Sequence, residues 1–90
     1  KATWNGALLA QSEATVVVDG NHYFPPGSLA REHFAEVRTL HLTLEGEARY
    51  YDVLVGDKRN RDAAWYYPDT DPRAEHIEGM IAFWKGVVVE

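Results

Sequence analysis

Cysteine is absent from all 90 residues. That excludes disulfide stapling, a thiol nucleophile and any cysteine-bearing zinc site. Serine occurs only at Ser12 and Ser28, neither within a nucleophile-elbow pattern, so serine hydrolysis has no candidate nucleophile. Glycine-rich phosphate loops are also missing. No run approaches the roughly 18 apolar residues of a membrane-spanning helix, and the first residues lack the apolar core of a secretory leader. The expectation is a cytoplasmic chain without a membrane partner. Positive charge is scarce, with 9 Lys and Arg against 14 Asp and Glu and a net charge of −5. Such a field repels phosphate backbones. The densest basic stretch, Lys58-Arg59-Asn60-Arg61, is flanked by Asp57 and Asp62 and reads as a solvated loop, so no nucleic-acid partner is expected.

Aromatic residues, in contrast, are plentiful: three Trp, five Tyr and three Phe. A chain of this length is one domain, residues 1–90, and buries only roughly 60–65% of the surface that it exposes unfolded. Each aromatic ring removes on the order of 150–250 Å² from water. That supply suffices for a core with no metal, no cofactor and no disulfide.

Short apolar runs separated by turn signals give the pattern of a mainly β domain, with about eight strands and two short helices. Ala7–Ala10 follows the turn-like Asn5-Gly6 and reads as a strand. Thr15–Val18 and His22–Phe24 flank Asp19-Gly20-Asn21, a hairpin signal strengthened by the β-branched run. After Pro25-Pro26-Gly27, Ser28 is placed to cap a short helix through Val37, with Leu29, Phe34 and Val37 inward. Thr39–Leu44 alternates, which predicts a half-buried strand with Leu40, Leu42 and Leu44 on the inner face. Ala48–Val55 and Ala63–Tyr67 give two further strands. Asp71-Pro72 fits an N-cap followed by proline at the first position of a second short helix, stopped by Gly79. Met80–Trp84 and Val87–Glu90 then predict a closing hairpin about Lys85-Gly86. The expected architecture is two packed antiparallel sheets, or a partly open barrel.

The phrases TWNG, HYFPP, EGEARYYDV, AWYYPD and AEHIEGMIAFWKGVVV, in this order and spacing, closely resemble the domain-of-unknown-function family 427 over essentially the whole chain. The resemblance implies a β-tent arrangement, two roughly perpendicular antiparallel sheets. It implies no activity. A nucleotidyltransferase label is sometimes attached to the family, and such a site needs clustered carboxylates holding metal against phosphates. Asp69-Thr70-Asp71 has a D-x-D spacing, but Asp71 is better explained as the cap before Pro72. The family usually carries Cys-Pro-(Trp or Tyr)-Lys-Gly before the EARYYDV phrase. Aligned on Gly46, this chain has Leu42, Thr43, Leu44 and Glu45 there. Any family chemistry that needs that thiol or ammonium is expected to be lost here.

The four histidines, His22, His33, His41 and His76, show no ligand spacing, and no metal site is expected. His41 stands apart, because it lies opposite the leucine face, next to the aromatic strands, where its ring could act as acid or base. Side chains alternate along a strand, so Tyr51, Val53 and Val55 form an apolar set suited to a core. The opposite set, with Tyr50 and Asp52, reads as a cleft wall. Ala63, Trp65 and Tyr67 share one face of the next strand, Ala64 and Tyr66 the other, and Phe83 and Trp84 point opposite ways. Filling a small core is the plain role for these rings, with tyrosine hydroxyls reaching the rim. Their number beside charged neighbours favours a cleft for a small apolar or heteroaromatic ligand. Tyr50, Trp65, Tyr67 and Trp84 would supply the stacking surfaces, with Arg49, Glu45 or His41 to orient it. Two alternatives stand beside that reading. One is an acid/base enzyme using His41 or Glu45; the other is an interaction or homodimerisation module built on exposed aromatics.

Overall fold

In the computed structural model, which describes residues 1–90, three long strands form around the aromatic stretches. These are β5 (Phe34–Thr43), β6 (Gly46–Val55) and β7 (Lys58–Tyr66). With β8 (Ile81–Phe83) they make a four-stranded antiparallel sheet in the order β5-β6-β7-β8. A second sheet has the order β2-β1-β9, from β1 (Ala2–Trp4), β2 (Ala7–Ala10) and β9 (Val88–Val89). The third is the hairpin of β3 (Val16–Val18) and β4 (Asn21–Tyr23). The protein is thus mainly β, with open antiparallel sheets and no long helix.

Two of the tight turns are written in the sequence. Asn5 (φ 50°) and Gly6 (φ 82°) join β1 to β2, and Asp19 (φ 52°) and Gly20 (φ 79°) join β3 to β4. Positive φ at both central residues is the backbone of the hairpin turn that Asn-Gly and Asp-Gly favour.

The four-stranded sheet is covered on both faces. On what we call the closed face, Tyr51, Val53, Ala64, Ile81 and Phe83 pack with Ala2, Leu9 and Ala10 of the β2-β1-β9 sheet and with Phe24 and Leu29. Rings meet edge to face here, Phe24 with Phe83 at 5.6 Å and Phe34 with Tyr51 at 5.5 Å. Each fully buried aliphatic or phenyl side chain of this kind contributes roughly 1.5–3 kcal/mol. On the opposite face, Ala48, Tyr50, Ala82 and Tyr67 pack with Tyr23 from the β3-β4 hairpin and with Ala74 and Ile77. Ala74 and Ile77 belong to the 3-10 turn Pro72–Ile77, and Asp71 caps it by accepting from the Arg73 N–H at 3.0 Å.

Several expectations are corrected. No helix spans Ser28–Val37: two 3-10 turns, Pro26–Ser28 and Arg31–His33, lead directly into β5. Ser28 caps neither; its hydroxyl donates back to the Pro25 carbonyl at 2.7 Å, and β6 recruits Phe34 and Ala35 opposite Val53 and Asp52. Tertiary pairing here overrides a short local helical pattern, which is marginal alone. The expected inner face of Leu40, Leu42 and Leu44 is instead exposed, Leu42 at 83% and Leu44, in the turn after β5, at 86%, because the hairpin end of β5 and β6 extends beyond the sheet packed on the closed face. The closing hairpin is absent as well, since β8 pairs with β7 and β9 with β1. Finally, Lys58-Arg59-Asn60 is the paired start of β7 rather than a loop.

Candidate functional site

The sequence Ala48-Arg49-Tyr50-Tyr51 alternates across β6, so Ala48 and Tyr50 share a face with Trp65, the cross-strand partner of Tyr50. Ala48 supplies no bulk, and beside it the face stays hollow. There Thr43, Ala48, Tyr50, Trp65, Tyr67 and Trp84 line a concavity of about 150 Å³. Tyr50 and Tyr67 are 8% and 6% exposed, whereas Trp84 is 46% exposed and stands at the mouth.

The rings are fixed by one another. Trp65 meets Trp84 edge to face at 5.8 Å and Tyr23 at 6.2 Å. The Trp65 indole N–H donates to the Tyr23 hydroxyl at 3.3 Å, and the Trp84 indole N–H donates to the Asp62 carbonyl. His41 Nδ1 lies 3.0 Å from the Tyr50 hydroxyl, with the two rings edge to face. Burial raises the pKa of Tyr50, with further repulsion from Tyr67 and Asp62. Burial also raises that of Tyr23, against the lowering effect of the Trp65 hydrogen bond. Both phenols therefore stay protonated well beyond neutral pH. The hollow is apolar, with neutral hydroxyls at its edge.

The structure brings Tyr50, Trp65, Tyr67 and Trp84 into this one concavity, and places His41 beside it on the outer strand. Arg49 lies on the other face of β6, in an ion pair with Glu47. Glu45 borders a separate concavity of about 260 Å³ with Val18, Leu44, Arg73, Ala74 and His76. Asp52, read from alternation as part of the cleft wall, is instead 1% exposed and structural. It accepts from Arg59 Nη1 at 2.8 Å and from the Asp62 N–H at 2.9 Å, where the register between β6 and β7 shifts. The same irregularity sends Ala63 into the closed-face core with Ala64. In the D-x-D stretch, the Asp71 carboxylate is engaged by Arg73, which lowers its pKa.

Three contributors escaped the sequence reading. Tyr23 arrives from a separate hairpin, and only the tertiary fold brings it to Trp65. Thr43 and Ala48 are small residues, and their signal was the alternation that sets them on the side of His41 and Tyr50.

These features define a small open-sheet β domain with an aromatic hollow on one face. The family model described as "Domain of unknown function (DUF427)" matches residues 1–90, and the chain belongs to that family. No curated protein matches the chain.

Proposed function

We propose that the aromatic hollow holds the ring of a small apolar or heteroaromatic molecule. The observation that carries this reading is the lining itself: four of its six residues are Tyr50, Trp65, Tyr67 and Trp84. Aromatic faces and edges gain about 0.5–1.5 kcal/mol per well-placed ring pair beyond area burial, so an inserted ring gains from several walls at once. The volume limits the occupant. Drug-sized pockets run to roughly 300–1,000 Å³, whereas an apolar cavity of roughly 150 Å³ accepts benzene. A hollow of about 150 Å³ therefore suits one ring, or the ring-bearing head of a longer molecule whose remainder passes Trp84 into solvent. Thr43, and His41 through the Tyr50 hydroxyl, supply the polar groups that would orient a heteroatom.

The His41–Tyr50 contact also favours a second reading, an acid/base enzyme in which His41 exchanges a proton with a bound ring substituent. Replacing His41 with Gln would then abolish turnover while leaving binding largely intact.

The test is a thermal-shift screen against single-ring aromatics and heteroaromatics. A ligand at a hundred times its dissociation constant stabilises by about 2.7 kcal/mol. Each kcal/mol moves the midpoint of a domain this size by roughly 4–8 °C. A shift that is present in the native chain and cut to about half or less in Trp84→Ala supports the reading. A flat screen across the set contradicts it.

A further inference from the structure

The edges of this fold are guarded unequally. The outer edge of β2 is bridged by Leu29 and that of β8 by Phe24, but no strand lies outside β5. A long edge strand with apolar side chains is a template for pairing with another chain. Within β5 the register shifts between Glu36 and Leu40, and regular pairing resumes from Leu40 to Thr43. Thr43 pairs with Gly46, and on the other side of β6 the Asp71 N–H reaches the Glu45 carbonyl. The main-chain groups of Gly46 and Thr43 therefore face each other. By alternation, those of Leu40 and Leu42 point out along the free edge.

We propose that this edge pairs with the same edge of a second copy of the chain, antiparallel about a two-fold axis through His41. In that register Leu40 and Leu42 bond with Leu42 and Leu40 of the second copy through their outward main-chain groups. Their side chains, 43% and 83% exposed in the monomer, form one leucine ladder across the axis. Charge favours a second copy as the occupant. The chain carries a net −5, yet the stretch from Thr39 to Leu44 contains no Asp, Glu, Lys or Arg. Two acidic molecules can meet there without opposing like charges. Arg38 precedes the stretch and Glu45 follows it, so antiparallel pairing sets each Arg38 at the end occupied by the second copy's Glu45. The contact is isologous and closes as a dimer, joining two four-stranded sheets into one of eight.

Sedimentation velocity over a concentration series tests this. The native chain should pass from monomer to dimer as concentration rises. Leu42→Glu, at an exposed position that leaves the fold intact, should weaken the dimer by about a hundredfold, since it sets like charges near the axis. Leu8→Glu, at a leucine on β2 that is 44% exposed, much like Leu40, should leave it unchanged. Arg38→Glu and Glu45→Arg should each weaken association, and the double exchange should restore it. A chain that stays monomeric throughout, or a Leu42→Glu variant that dimerises like the native one, overturns the proposal. A double exchange that fails to restore association overturns the two-fold register.

Discussion

The two faces of the four-stranded sheet are built from neighbouring residues of the same strands, yet they pack to different completeness. Tyr51 and Val53 on the closed face are sealed by a whole sheet, with Phe24, Leu9 and Ile81 nearly or wholly inaccessible. Tyr50 and Trp65 on the cleft face are covered by a short hairpin and a 3-10 turn, which bury Ala48 but leave Trp84 and the hollow beside it open. A one-residue offset in the chain therefore separates a core from a concavity. Covering area, more than aromatic content, decides which face stays open.

Substitutions should divide along this line. The largest effect is expected for Phe24→Ala in the closed face, a loss of about 3–5 kcal/mol, out of a total that for domains is typically about 5–15 kcal/mol. Urea denaturation should show the midpoint falling steeply, with ring binding in the hollow preserved under folding conditions.

Gly46→Ala comes next, because it joins the cleft hairpin to the turn beyond Tyr67. An added Cβ would lie 2.6 Å from the Asp69 carbonyl, at a φ of +137°. A loss of about 1–3 kcal/mol is expected from backbone strain, read by the same denaturation. Asp52→Ala should cost a similar amount, about 1–3 kcal/mol, since it strips the Asp62 N–H of its partner.

Trp84→Ala should be the mildest for stability, below about 1.5 kcal/mol, because the ring is already half in water. Ring binding should nonetheless fall about tenfold or more, as one stacking wall is lost. Isothermal titration with the best ligand of the thermal screen gives that number. If Trp84→Ala unfolds the domain as Phe24→Ala does, the contrast between the faces fails.

The smallest effect concerns alkaline pH. Burial lifts Tyr66 from its ordinary 10.0 to about 12, with Tyr51 and Glu36 adding to the shift. A phenol whose folded pKa lies above its unfolded value contributes stability fully present below pH 10. That contribution is lost as pH rises from 10 toward about 12. Spectrophotometric titration should therefore show late tyrosinate formation and declining stability in that window. A bound ring that excludes water from the hollow should delay Tyr50 further and leave Tyr66, on the closed face, unmoved.

Much of this was legible in the sequence, because alternation and turn chemistry are local. Asp19-Gly20 announces its hairpin, Asp71-Pro72 its cap, and the Tyr50/Tyr51 offset predicts which ring lies on which face. What stayed hidden depends on partners distant in the chain. Leu40 and Leu42 have the pattern of an inner face, but nothing local reveals that the covering sheet ends before them. Phe34 lies within a helix-like stretch, and only pairing with β6 makes it a strand. Asp52 reads as a wall residue until the irregular register of β7 brings the Asp62 N–H to it.

The central claim concerns occupancy of the hollow, and the three tryptophan indole N–H signals can report on it directly. We would titrate the isotopically labelled chain with indole and follow its nitrogen–proton correlation spectrum. The account predicts saturable shifts at the Trp65 and Trp84 side chains and at the Thr43 and Ala48 amides. Trp4, packed against the closed-face core, should hardly move. An unperturbed spectrum, or shifts centred on Trp4 or on the concavity beside Arg73 and His76, would contradict it.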